Sequence, residues 1–129
     1  MIGKLMIGSV LALAVAGSAQ AVLPPQYYEQ ARTEARDVVT LDIQDVAKPS
    51  GSFGDCRVTG TVVEVEKGTA FSVGQSATLV VACLVGPDHP PPGPRLWLDY
   101  GRLTASKRLK AWTNGGVVAR DQVEVFGRR

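Results

Sequence analysis

The two cysteines constrain this chain more than any other feature. Cys56 opens "CRVTGTVVEV", residues 56–65, and Cys83 closes "TLVVAC", residues 78–83, so each stands at one end of a β-patterned run. Opposed residues in an antiparallel pair have a constant number sum. The sum of 139 that sets Cys56 against Cys83 also sets Val58 against Val81, Gly60 against Leu79 and Val62 against Ala77, which makes one apolar face. The other face pairs Arg57 with Ala82, Thr59 with Val80 and Thr61 with Thr78 and is mixed. These pairings predict a long β-hairpin with its loop at residues 67–72, clasped at the open end by a Cys56–Cys83 disulfide. Closing that loop contributes roughly 3–4 kcal/mol on chain-entropy grounds. Gly60 lies mid-strand, where glycine marks a bulge or bend, and a bulge there would turn Val63 and Val65 inward in place of Val62. No C-x-x-C spacing is present, so the pair reads as structural and not redox-active.

A structural disulfide implies an oxidising compartment, and the N-terminus agrees. In "MIGKLMIGSVLALAVAGSAQAV" Lys4 precedes an apolar stretch from Leu5 to about Gly17, followed by Ala19-Gln20-Ala21, the small-x-small pattern of a signal-peptidase site. Residues 1–21 therefore read as a secretory signal, too short for a stable membrane span. Cleavage after Ala21 leaves 108 of the 129 residues, the natural capacity of one domain. The expected location is periplasmic or secreted, with no transmembrane anchor after cleavage.

The remaining segments are short. "PPQYYEQARTEARDVV" predicts a helix over about residues 25–37, with Tyr27 or Tyr28, Ala31, Ala35 and Val38 at helical spacing and Pro24 and Pro25 at its entry. "VVTLDIQDV" alternates, with Val39, Leu41 and Ile43 on one side and Thr40, Asp42 and Gln44 on the other, as in a half-buried strand. "LVGPDHPPPGP" is a stiff loop. "RLWLDY" is a short strand, "GRLTASK" a turn or single helical turn, and "RLKAWTNGG" a strand ending in turn residues. "VVARDQVEVF" is a final strand. One helix and five to six short strands make the chain mainly β, a small antiparallel OB-like barrel or sandwich spanning residues 22–129. A long strand with a central glycine suits the curved strand shared by two halves of a barrel.

The segments "LPPQYYEQAR", "CRVTGTVVEV", "VVAC" and "DQVEVF" resemble small exported bacterial proteins of uncharacterised function, a resemblance that implies no activity. The strand–hairpin–strand plan is similar to the OB-like barrels of netrin and metalloproteinase-inhibitor modules. Inhibitors of that type use a cysteine at the mature N-terminus, where this chain has Val22, so inhibition is not implied.

The inventory for catalysis is thin. His89 is the only histidine, and one imidazole without thiolate or carboxylate partners makes no zinc site. A triad of His89 and Asp88 with Ser50, Ser52, Ser72 or Ser76 lacks any nucleophile-elbow frame. Glu64 and Glu66 share a strand face but read as solvated edge charges. No phosphate loop, dinucleotide fingerprint or calcium loop is present, and no cofactor or metal is expected.

The charge is uneven. Residues 22–94 carry 5 basic and 9 acidic groups, whereas residues 95–129 carry 8 basic and 3 acidic. Within the basic third, "SKRLKAW" as a strand projects Arg108, Lys110 and Trp112 on one face, and basic groups flanking an aromatic ring are how OB-type surfaces hold anionic polymers. The alternative places Trp112 half-buried beneath the lysine and arginine stems. Export disfavours nucleic acid as a partner and points to lipopolysaccharide, lipid headgroups or acidic glycans. The expectation is a binding module and not an enzyme, with two competing readings: a structural component meeting an envelope protein through its strand edges or helix, and a small hydrolase using His89.

Overall fold

At the centre of the sheet lies β1 (Asp37–Ala47), flanked on one side by β2 (Phe53–Lys67) and on the other by β5 (Ser106–Asn114). A computed structural model describes residues 23–129; the expected secretory signal at residues 1–21 lies outside the described residues. Strand β3 (Ser76–Leu84) extends the sheet beyond β2 and ends in β4 (Leu98–Asp99), while β6 (Val117–Arg128) extends it beyond β5. The order is therefore β4-β3-β2-β1-β5-β6, antiparallel throughout except for the short β3–β4 pair. The chain is mainly β, as expected, and its sheet curls into a half-barrel that brings β3 and β6 close together without a ladder between them.

Alternation sets the two faces of the curl. Val39, Leu41, Ile43, Val58, Val62, Leu79, Val81, Leu109 and Ala111 point inward and form the main core with both cysteines. One end is covered by a short helix, α2 (Tyr100–Ala105), where the sequence suggested a turn or single helical turn. Its Leu103 is fully buried in that core, and Asp99 caps it by accepting from the Arg102 amide at 3.0 Å. The other face is convex. There Ala35, Val38 and Trp112 make a second, smaller cluster next to the helix α1 (Pro25–Glu34).

The expected helix over about 25–37 is shorter in the structure. Ala35 is already extended, because Asp37 and Val38 are taken into the ladder opposite Thr113 and Trp112. The β-branched Val38 and Val39, with strand partners on both sides, gain more in the sheet than in another helical turn.

The hairpin is present, and the disulfide joins Cys56 to Cys83 with 5.9 Å between their Cα atoms. The register differs by two residues from the expected one. Cys56 faces Val81 and Cys83 faces Gly54, so the bond runs diagonally, and Val58 pairs with Leu79 instead of Val81. A shift of two preserves the faces, which is why the inward set is unchanged. The loop consequently spans residues 68–75, with Val62 bonded to Gln75 and Gly74 beyond the last paired residues.

Gly60 does not bulge against β3, and Val62 is the inward residue. The irregularity lies on the other side of β2, where Gln44 of β1 is the unpaired residue between Ile43–Gly60 and Asp45–Thr59. A Cβ on Gly60 would run into the Asp42 carbonyl, so glycine here lets β1 cross closely over β2. Two further shifts in the same ladder add to the curl.

Candidate functional site

Strand β6 leaves the ladder for four residues. Ala111 pairs with Val123 and Thr113 with Val118, so residues 119–122 of β6 stand against Trp112 alone. Within this bulge Arg120 (φ 44°) and Asp121 (φ 57°) are left-handed, a conformation that costs a non-glycine residue roughly 1–2 kcal/mol. Local bonds hold it. The Asp121 carboxylate accepts from Arg95 Nε at 2.8 Å, from the second arm of the same guanidinium at 2.9 Å and from the Leu96 amide at 3.1 Å. Buried Gln122 donates to the Arg120 carbonyl at 3.0 Å and accepts from Arg32 Nε at 2.7 Å. The hydrogen bonds that Arg95 donates to Asp121 outweigh partial desolvation and raise the Arg95 pKa above the ordinary guanidinium range. A raised pKa contributes below the unfolded value and is lost only as pH rises through guanidinium deprotonation, so Arg95 keeps its charge over the neutral range.

The same anchor points hold α1 in place. The Tyr28 hydroxyl donates to the Pro94 carbonyl at 2.9 Å and accepts from the Leu23 amide at 3.1 Å. Between α1, Leu96 and Gln122 an apolar cavity of about 480 Å³ remains, lined also by Leu23, Pro25, Tyr28, Glu29 and Arg32. Below it the free edges of β4 and β6 face each other across the unclosed seam of the half-barrel. A second groove of about 460 Å³ lies there, between Leu98 and Arg102 on one side and Val123, Glu124, Val125 and Phe126 on the other.

Arg108, Lys110 and Trp112 share the convex face, as alternation requires. Their surroundings differ. Lys110 Nζ donates to Glu66 Oε1 at 2.8 Å. Trp112 is only 9% exposed and lies between Arg32, 3.8 Å from its ring centroid, and Lys110, at 4.9 Å. Arg108 makes no ion pair among the described residues; its ladder neighbours are Asp42 of β1 on one side and Phe126 of β6, which is 46% exposed, on the other.

Two more cations stand near Phe126, and a third lies on the other face. Arg128 is two residues on along β6, Arg102 lines the groove beside Phe126, and Lys107, level with Gly127, alternates to the face opposite Arg108. None of the three is ion-paired among the described residues. Gly127 lies against Lys107, and the Arg129 amide reaches the Ala105 carbonyl at 3.3 Å, so the C-terminal strand closes this cationic end of the barrel. The sequence did carry a signal for this cluster, the excess of basic residues after position 94. What it did not carry was which of them find acidic partners.

His89 is exposed in the loop between β3 and β4. Ser52 Oγ donates to Asp88 at 3.1 Å, but among the described residues no hydrogen bond joins His89 to Asp88 or to a serine. No group of three or more His, Cys, Asp or Glu side chains converges among the described residues. No protein-family model, curated protein or solved structure matches the chain.

Proposed function

We propose that this protein is an exported binding module that takes an anionic component of the cell envelope on the cationic end around Phe126. The observation that carries the reading is the grouping of guanidinium groups about one exposed aromatic ring. Arg102, Arg108 and Arg128 gather near Phe126 with no ion pair among the described residues, whereas Arg32, Arg95 and Lys110 are held by Glu124, Asp121 and Glu66. Guanidinium groups present forked donors that match phosphate and carboxylate oxygens, and an exposed aromatic ring adds an apolar contact beside them. The disulfide supports the exported setting.

Co-sedimentation with vesicles tests this reading. Vesicles of phosphatidylglycerol and phosphatidylcholine are expected to retain the protein at low ionic strength, and vesicles of phosphatidylcholine alone are not. Raising the salt releases it, because exposed charges are screened within a Debye length of about 8 Å near physiological ionic strength. Equal retention on both vesicle types, or none on either, overturns the proposal.

A further inference from the structure

We infer that the ligand is a single-chain amphiphile, an acyl or alkyl chain carrying a phosphate-type head, with the head at the cationic end and the chain along the seam; this rests on the anion-binding reading above. The groove beside Arg102 and Phe126 does not end blindly. It shares Leu98 and Val123 with a narrower stretch of about 140 Å³, which in turn shares Arg32, Leu96 and Gln122 with the upper cavity beneath α1. Through these shared residues the three hollows follow one another along β6 from the unpaired cations to α1. Leu98, Val123, Val125, Leu96, Tyr28 and Leu23 supply their apolar walls in turn, with Glu124 at the lower groove and Asp121 at the narrow stretch.

The two ends differ in charge, and that orients the ligand. At the lower mouth Arg102, Arg108 and Arg128 are unpaired among the described residues. At the upper end the one cation, Arg32, is already engaged by Trp112, Gln122 and Glu124, and the Glu29 carboxylate stands beside it. Glu124 also lines the lower groove but is paired with Arg32, so cations outnumber free carboxylates below, whereas Glu29 stands free of an ion pair above. Each methylene taken from water into the channel adds a favourable increment.

An extended peptide fits the seam less well. Strand addition needs a continuous row of free backbone donors and acceptors. The β6 backbone turns left-handed at Arg120 and Asp121, where the Arg120 carbonyl is already bonded to Gln122, and the upper cavity is walled by α1 side chains. A hydrocarbon chain needs no such row.

Calorimetric titration of the whole protein with octyl phosphate, dodecyl phosphate, dodecyl maltoside and glycerol phosphate, all below micelle formation, tests the inference. Dodecyl phosphate is expected to bind about tenfold or more tightly than either glycerol phosphate or dodecyl maltoside, with octyl phosphate between, and with a negative heat-capacity change. Leu96→Trp, at a residue that lines the narrow stretch and the upper cavity but not the lower groove, is expected to remove the chain-length gain. The chain-length series on the unaltered protein stands even if that variant fails to fold. Equal affinity for dodecyl, octyl and glycerol phosphates overturns the channel while leaving the anion site intact. Absence of binding by all phosphates overturns both. Tighter binding of an alternating valine–threonine peptide than of dodecyl phosphate replaces the amphiphile with a strand.

Discussion

The guanidinium carbon of Arg32 lies 3.8 Å from the centroid of the Trp112 ring. That contact ties α1 to the convex face of the sheet, and it turns a tryptophan at an outward-facing position into part of a small second core with Ala35 and Val38. Arg32 also supplies the donor that satisfies buried Gln122 at 2.7 Å.

Arg32→Ala is therefore expected to cost about 1–3 kcal/mol, since it removes a cation–π contact and leaves a buried amide oxygen without its donor. Lys110→Ala, which removes a partly exposed ion pair and a longer ring contact, is expected to cost under about 1 kcal/mol. Urea unfolding of the two variants, followed by tryptophan fluorescence, measures both.

Reduction of Cys56–Cys83, or the double substitution Cys56→Ala/Cys83→Ala, is expected to lower stability by roughly 3–4 kcal/mol through the entropy of the opened chain. Because the bond is diagonal and each cysteine faces another residue, the β2–β3 pairing does not depend on it geometrically. Amide exchange is expected to show the β2–β3 ladder still protected in the reduced protein, with a lower unfolding midpoint.

Gly60→Ala is expected to destabilise by about 1–3 kcal/mol. The added methyl would meet the Asp42 carbonyl, a backbone atom that moves only if the whole crossing of β1 over β2 opens. Gly51→Ala, in open space, is the matched control and is expected to be near neutral. The difference between the two unfolding midpoints reports the closeness of the crossing.

At the β6 bulge two neighbouring substitutions are expected to act in opposite directions. Arg120→Gly relieves a left-handed non-glycine residue with an exposed side chain and should raise stability by about 0.5–1 kcal/mol. Asp121→Ala removes the acceptor of three hydrogen bonds and should lower it by about 1–3 kcal/mol. Thermal unfolding separates them by sign.

Much of the fold was legible because it rests on alternation. The inward set of β1 and of the hairpin follows from the spacing of Val39, Leu41, Ile43, Val58 and Val62 and survives a two-residue slip. The diagonal placement of the disulfide was not legible, since a shift of two leaves the apolar pattern unchanged. Nor was the bulge at Arg120 and Asp121, because neither residue type announces a left-handed backbone and its anchors, Arg95 and Arg32, are distant in the chain. At the candidate site the strand pattern placed Arg108, Lys110 and Trp112 on one face, as found. It did not reveal that Glu66 and Arg32, from other elements, engage two of the three, or that Phe126 lies opposite Arg108.

Comparing Arg108→Glu with Lys110→Glu in binding to phosphatidylglycerol vesicles at low salt tests whether the cationic end around Phe126 holds the anion. Arg108 stands unpaired beside exposed Phe126, whereas Lys110 is already held by Glu66. The Arg108 reversal is expected to abolish binding and the Lys110 reversal to leave most of it. Equal losses in the two variants, or a loss confined to Lys110→Glu, would contradict it.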